Sequence, residues 1–298
     1  MKANVIILVA GFLAIIGCDD KDQNKKPSIP TAGRLVIGVD ESLRPLADAE
    51  IRTFSIYYPN TDIVPLYLPE KQVVEKLLTN EIQTGVICRD IYDDEIESIK
   101  ANYNHSPTTF KLGEDEIVLV VNNSNPVNDL SYDELKKILS GEITGWEQID
   151  PVFKDKTPIA AVMTRSSSMD RYFFPMNDSP SSIRSYALDS TNEVIDYVKE
   201  NVSALGILGG SWFYQEGKKY SDVKLLGYIK DSPKTDNQKQ GLFREVFAVT
   251  HEPFNGLGSG FISFMANEKG QLIISKAGMT PYKPIEREIQ ITGSYPSD

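Results

Sequence analysis

Residues 116–146 read EIVLVVNNSNPVNDLSYDELKKILSGEITGW, a stretch that contains a strand, a loop and a helix. The run at 116–121 is almost entirely apolar, which is typical of a strand buried on both faces. Ser131 to Glu134 reads SYDE and matches a capping box, in which the serine hydroxyl accepts an amide of the first turn and the glutamate carboxylate accepts the amide of the serine. A helix is therefore predicted from Ser131 to Leu139, with Gly141 ending it.

The same alternation of strand and helix extends in both directions along the chain. Strands are predicted at 34–39, 63–67, 84–88, 159–163, 204–208, 223–229 and 244–250, and helices at 45–58, 70–78, 93–103, 190–199, 258–266 and 268–277. Gly278 follows the last helix, where a left-handed cap is expected. This order is typical of an α/β protein in which helices cover mostly parallel sheets.

The N-terminus has the features of a lipoprotein signal peptide, which we expect to span residues 1–17. Lys2 precedes an apolar run at 5–16, which is shorter than the roughly 20 residues of a membrane-spanning helix. A small residue, Gly17, then precedes Cys18, so we expect cleavage there and lipidation of Cys18. An uncleaved short anchor is the alternative. Residues 18–33 contain the lipidated cysteine and a charged segment that is too polar to form a core, which predicts a flexible tether.

Composition limits the function of the remaining chain, which has about 265 residues, enough for two lobes. The net charge of −11 argues against a nucleic-acid surface, and any anion site must be local and desolvated. Cys88 follows an apolar strand and is predicted to be a core residue rather than a reactive thiol. His105 and His251 lack partners at metal-ligand spacing, so no metal site is expected.

Several segments resemble the phosphate-binding proteins of ABC importers. They are VVNNSNPV at 120–127, LSYDEL at 130–135, ILSGEITGW at 138–146, LGI at 205–207, FISF at 261–264, GQL at 270–272 and KAGMTP at 276–281. The resemblance implies a two-lobed periplasmic-binding-protein fold of type II, with two hinge crossings and a ligand cleft between the lobes. It places the first lobe at 34–114 and 249–298 and the second at 115–248.

One half of the predicted ligand site lies in TRSSSMDRYF at 164–173, where a strand meets a predicted helix. Helix N-termini bind anions through free amides and the helix dipole. The resemblance assigns ligand contacts to Ser167 and Ser168 first, with Arg165, Ser166, Met169 and Arg171 beside them. Met169 stands where the family usually has threonine. The alternative is that Ser166 only caps the helix and that both arginines are solvated.

The facing half of the site is predicted from three loops of the first lobe. Ser42 and Leu43 correspond to the family's first serine or threonine loop, although Ser42 could simply cap a helix. Arg89 ends a strand and could supply a second fixed cation, or could form a surface ion pair with Asp90 or Asp93. Glu70 could accept the proton of a monoprotonated phosphate and so exclude sulfate, or could only stabilise the N-terminus of its helix.

These observations predict a lipid-anchored, extracytoplasmic receptor that binds inorganic phosphate and delivers it to an ABC permease. A receptor for sulfate or molybdate, or an anion-sensing surface lipoprotein, is compatible with the same features. An enzyme is not expected, because the chain has no Gly-x-Ser-x-Gly elbow, no phosphate-binding P-loop and no histidine placed to activate a serine. We also expect a monomer that needs no cofactor and binds no nucleic acid.

Overall fold

The computed structural model describes residues 29–165, 167–169, 184–227, 241–252 and 255–283. The first lobe opens with β1 (Gly33–Asp40), a 3-10 turn (Glu41–Leu43), α1 (Arg44–Tyr57), β2 (Thr61–Leu68), α2 (Glu70–Leu78), β3 (Thr84–Ile87) and α3 (Asp93–Tyr103). It closes with α7 (Leu257–Met265), α8 (Glu268–Lys276) and β10 (Thr280–Pro281). Strands β1, β2 and β3 are parallel, with β1 in the centre.

The second lobe contains α4 (Tyr132–Ser140), β5 (Ala160–Thr164), β6 (Arg184–Leu188), α5 (Thr191–Glu200), β7 (Ala204–Gly209), α6 (Gly210–Glu216) and β8 (Val223–Leu225). Strand β5 lies between β6 and β7 and is parallel to both. In the described residues no helix is long and apolar enough to cross a membrane.

Two long strands, β4 (Thr108–Asn122) and β9 (Phe243–Thr250), connect the lobes. Residues 108–116 of β4 pair with β9, which also pairs with β3 of the first lobe. From residue 117 onward β4 pairs instead with β7 and β8 of the second lobe. Strand pairing therefore puts one crossing near residue 116 and the other just before residue 243, where Asp115 and Arg244 are directly opposite.

Each lobe has its own hydrophobic core on both faces of its sheet. In the first lobe, Ile37, Leu46 and Phe261 belong to one buried cluster, and α2 and α3 cover the other face. In the second lobe, α4 packs on one face and α5 on the other. Separate cores allow each lobe to move as a unit about the crossing strands.

Most predicted elements are found within a residue or two of their expected bounds. Among the described residues, four features were missed: the first half of β4, strand β6, helix α6 and the two-residue strand β10. Residues 108–111 alternate between exposed and half-buried positions, a register shift follows at Lys111/Gly113, and residues 114–116 are all acidic. Because only the second half of β4 is continuously apolar, the sequence predicted that half and not the first. The predicted strand at 223–229 is shorter, since β8 ends at Leu225.

Candidate functional site: a buried polar cluster at the hinge

The loop after β1 provides a buried carboxylate and a serine. Asp40 Oδ1 accepts hydrogen bonds from the Ser42 amide at 2.9 Å and from the Ser42 hydroxyl at 2.6 Å. Asp40 Oδ2 is buried and has no hydrogen-bond partner among the described residues. Leu43 is buried at the start of α1, which has no side-chain cap there. The loop thus combines an uncapped helix N-terminus with an unsatisfied acceptor.

The ends of β2 and β3 bring Glu70 and Cys88 next to this loop. Glu70 begins α2, is buried, and accepts a hydrogen bond from the Cys88 amide at 2.8 Å. Burial raises the pKa of the Cys88 thiol well above its usual value, so the thiol form dominates at neutral pH. This environment supports the predicted core role of Cys88 rather than a reactive thiol.

A buried ion pair lies at the two crossings between the lobes. Arg244 donates to Asp115 Oδ2 from Nε at 3.0 Å and from Nη2 at 2.7 Å, and both side chains are fully buried. Asp115 Oδ1 accepts the amide of Ser211 in α6 at 2.8 Å. A Cβ on Gly209 would lie 2.1 Å from Arg244 Nη2, so the ion pair requires glycine there.

The third guanidinium bond links this pair to the predicted ligand loop of the second lobe. Arg244 Nη1 donates to the Ser168 hydroxyl at 2.7 Å, and Ser168 is completely buried. Ser167 is also buried, and its hydroxyl accepts the Met169 amide at 3.3 Å. Met169 packs in the hydrophobic core of the second lobe. The thioether therefore points to the core, which explains how this chain can carry methionine where a hydroxyl residue is usual.

These groups form one electrostatic cluster. Arg244 is close enough to Cys88 and Asp40 to interact with them as well as with Asp115, and Cys88 interacts in turn with Glu70. The hydrogen bonds of Ser42 to Asp40 and of Ser168 to Arg244 extend this cluster into both lobes. The structure therefore brings the two predicted halves of the site together at the carboxyl ends of the strands, where ligands bind in open α/β sheets.

A second contact joins the lobes beside the cluster. Glu41 Oε2 accepts the Thr191 hydroxyl at 2.7 Å and the Thr191 amide at 3.2 Å, at the first residue of α5. Burial raises the pKa of Glu41 above its ordinary value, although the hydrogen bonds from Thr191 act in the opposite direction. This acceptor at a helix N-terminus holds the first lobe against the second.

The remaining predicted residues lie in different surroundings. Arg89 forms a bidentate pair with Glu95 at 2.6 and 2.7 Å and covers the ring of Tyr92, so the expected ion pair exists with a different acidic residue from those considered. Its Nε also lies 3.7 Å from Glu70 Oε1. Arg165 is exposed, and its Nε lies 3.4 Å from Asp189 Oδ1. Ser166 and Arg171 lie outside the described residues.

Asp40, Glu70 and Cys88 could in principle hold a metal ion, since one potential ligand atom from each lies within 4.8 Å of the others. The surroundings fit a metal poorly. Glu70 already accepts the Cys88 amide, and burial disfavours the thiolate that a metal requires. We therefore assign no metal to this cluster.

Arg244, Asp115 and Asp40 were not identified from the sequence as site residues. Arg244 and Asp115 lie 129 residues apart and meet only because β4 and β9 pair in register. Asp40 ends β1 directly before the turn that contains Ser42, and the sequence assigned it no role. The available signal is weak: Arg244 and Glu245 are the two charged residues of the strand FREVFAVT, and sequence alone does not show which of them is buried.

The chain belongs to the PBP superfamily, whose domain model matches residues 24–269. It is 27% identical over 210 residues to the phosphate-binding protein PstS of Staphylococcus haemolyticus, a match that covers 66% of this chain. The chain covers 65% of that relative, which is less than two thirds of its length.

Solved structures show the same fold. A phosphate ABC transporter substrate-binding protein from Clostridium perfringens, solved with bound phosphate, superposes with a TM-score of 0.69 at 21% identity and covers 84% of this chain and all of its own. An ABC-type phosphate transport receptor from Vibrio cholerae gives a TM-score of 0.59 at 21% identity, with coverage of 84% and 100%. The predicted two-lobed periplasmic-binding-protein fold is therefore confirmed.

Proposed function

We propose that this protein binds inorganic phosphate between its lobes and delivers it to an ABC importer. The observation that carries the proposal is the hydrogen bond of buried Arg244 to Ser168, which couples a fixed cation to the serine loop of the second lobe. The names of the related proteins support phosphate as the ligand. Ser167, Arg171 and the uncapped start of α1 after Leu43 are the further groups that we expect to meet the anion.

The buried carboxylates favour a protonated oxyanion. The described cluster contains three buried acidic side chains and one buried cation, Arg244; the acidic ones are Asp40, Glu70 and Asp115. This excess of acceptors disfavours a ligand that can only accept hydrogen bonds. Monohydrogen phosphate carries one hydroxyl, which could donate to the unpartnered Asp40 Oδ2, whereas sulfate has no proton to donate. Glu70, the acceptor expected from the sequence, already receives the Cys88 amide. Asp40 is thus the better-placed acceptor for that proton.

We further infer that the protein acts outside the cytoplasm, anchored through a lipid on Cys18, and that a permease is its membrane partner. The signal-like segment before Cys18 and membership of a superfamily of binding proteins support this inference. Binding rather than catalysis fits the cluster, because Ser168 is bonded to a guanidinium, which cannot accept its proton as a general base would. We expect it to act as a monomer.

Calorimetric titration of the lipid-free protein with phosphate, arsenate, sulfate and molybdate tests this function. We expect phosphate and arsenate to bind and sulfate to bind at least about 100-fold more weakly, because an unpaired buried carboxylate oxygen costs several kcal/mol. Asp40→Asn, which can donate a hydrogen bond, should narrow this difference. Absence of binding heat with all four anions, confirmed by equilibrium dialysis, would disprove the proposal.

A further inference from the structure

We propose that Arg244 is a positioning residue that turns the Ser168 hydroxyl into a hydrogen-bond donor aimed at the bound anion. The proposal rests on the oxyanion-binding function given above and assigns the polarity of one contact within it. Three of the guanidinium N–H groups are accounted for: Nε and Nη2 donate to Asp115 Oδ2, and Nη1 donates to Ser168. Because Asp115 fixes the guanidinium plane, the position of Nη1 is fixed as well.

The direction of the Ser168 proton follows from the chemistry of its partner. A serine hydroxyl can donate one hydrogen bond and accept two, but a guanidinium can only donate. The Ser168 oxygen must therefore be the acceptor in the bond to Arg244, which leaves its proton for another group. Arg244 is the partner that the structure gives this hydroxyl within the described residues, and an unsatisfied buried donor is costly. An oxyanion, which presents acceptor oxygens, matches this requirement.

Ser42 in the facing loop provides a contrast. Its hydroxyl donates to Asp40 Oδ1 at 2.6 Å and its amide donates to the same oxygen, so a carboxylate neighbour already takes its proton. Ser42 and Ser168, which are both predicted ligand contacts, therefore differ in the polarity that they offer a ligand. Ser168 offers a donor to the ligand, whereas Ser42 offers lone pairs unless it leaves Asp40. Arg244 is the residue that creates this difference.

The test compares the effect of Ser168→Ala on phosphate affinity in two backgrounds. The first is the native protein, and the second carries Asp115→Asn with Arg244→Gln, which replaces the buried ion pair by a neutral amide pair. The amide oxygen of the introduced glutamine could accept the Ser168 proton, which a guanidinium cannot do. We expect Ser168→Ala to weaken phosphate binding at least about tenfold in the native background and less than about threefold in the second.

Two controls separate positioning from a general structural role. Ser167→Ala should cost the same affinity in both backgrounds, because Ser167 interacts with the Met169 amide and not with Arg244. If the variant with the neutral amide pair does not fold, Arg244→Lys is used instead. Lysine keeps the positive charge but lacks the forked N–H donors of the guanidinium. The effect of Arg244→Lys on affinity should then be strongly non-additive with that of Ser168→Ala.

The outcomes distinguish this inference from the proposed function. The role of Arg244 would be overturned if Ser168→Ala reduced phosphate affinity equally in both backgrounds, or if its effect on affinity were additive with that of Arg244→Lys. Phosphate binding by the native protein would be unaffected by either result. No binding of phosphate by the native protein would reject both. A fall in melting temperature without a change in the Ser168 effect would show that Arg244 serves stability alone.

Discussion

Glu50 on α1 is a fully buried carboxyl whose two oxygens have no hydrogen-bond partner among the described residues. Burial raises its pKa from 4.5 to about 9, so the side chain is protonated at neutral pH in the folded protein. The unfolded chain binds fewer protons than the folded chain between these two pH values. The free energy of unfolding therefore falls as the pH rises from about 4.5 to about 9.

The Glu50→Gln variant should remove this pH dependence, because glutamine keeps the shape and cannot ionise. We expect the melting temperature of the variant, relative to that of the native protein, to increase from pH 5 to pH 8. The difference in unfolding free energy between the two proteins should change by at most about 1.4 kcal/mol per pH unit. Glu97→Gln on the exposed face of α3 is the matched control. Thermal unfolding across this pH range measures the melting temperatures of both variants and of the native protein. A melting-temperature difference between Glu50→Gln and the native protein that stays constant with pH would contradict the raised pKa.

At the residue scale the sequence predicted the cleft in part. The cluster of serines at 166–168 stood out because three hydroxyls at a strand end can serve an anion, and two of them, Ser167 and Ser168, are buried beside the Asp115–Arg244 ion pair. Arg244 itself was not predicted, because its role depends on which strand pairs with β9 and in what register. Long-range pairing of this kind leaves no local signal.

At the scale of elements, capping residues were the most informative part of the sequence. Ser131 and Glu134 form the predicted reciprocal bonds at the start of α4, and Gly278 has the predicted positive φ after α8. Ser190 caps α5, since its hydroxyl accepts the Glu193 amide, and the Glu193 carboxylate accepts the Asp189 amide. These bonds are local, which is why sequence alone predicts them.

The contact of Glu41 with the first turn of α5 leads to a prediction about closure. Thr191→Val removes the hydroxyl that donates to the buried carboxylate at 2.7 Å and keeps the shape of the side chain. A hydrogen bond to a charged group contributes roughly 1.5–3 kcal/mol, so phosphate should dissociate at least about tenfold faster from this variant. Stopped-flow displacement measures the rate.

Thr191→Ser, which keeps the hydroxyl, is the control and should dissociate at close to the native rate. The association rate of Thr191→Val should change less than its dissociation rate, since the contact forms when the lobes close. Equal dissociation rates for Thr191→Val and Thr191→Ser would show that the Glu41 contact does not hold the lobes together.

At the scale of the whole molecule, the lobes meet through β4 and β9, and the Asp115–Arg244 pair lies at the point where both strands cross. The alternation of strands and helices predicted an α/β protein, whereas the two lobes were predicted from the chain length and the family resemblance. Residues 243–250 of β9 pair with residues 108–116 of β4, and residues 247–250 also pair with β3. The hinge and the ligand loop are thus bonded directly to each other.

We propose that an oxyanion binds at this junction between the lobes, and crystals grown with arsenate test this binding site. Anomalous scattering from arsenic locates the ligand without relying on affinity. We expect one arsenic site, with an arsenate oxygen within hydrogen-bond distance of Ser168 Oγ and another oxygen close to Asp40 Oδ2. Arsenate bound away from both residues, or no ordered arsenic with the lobes closed, would contradict it.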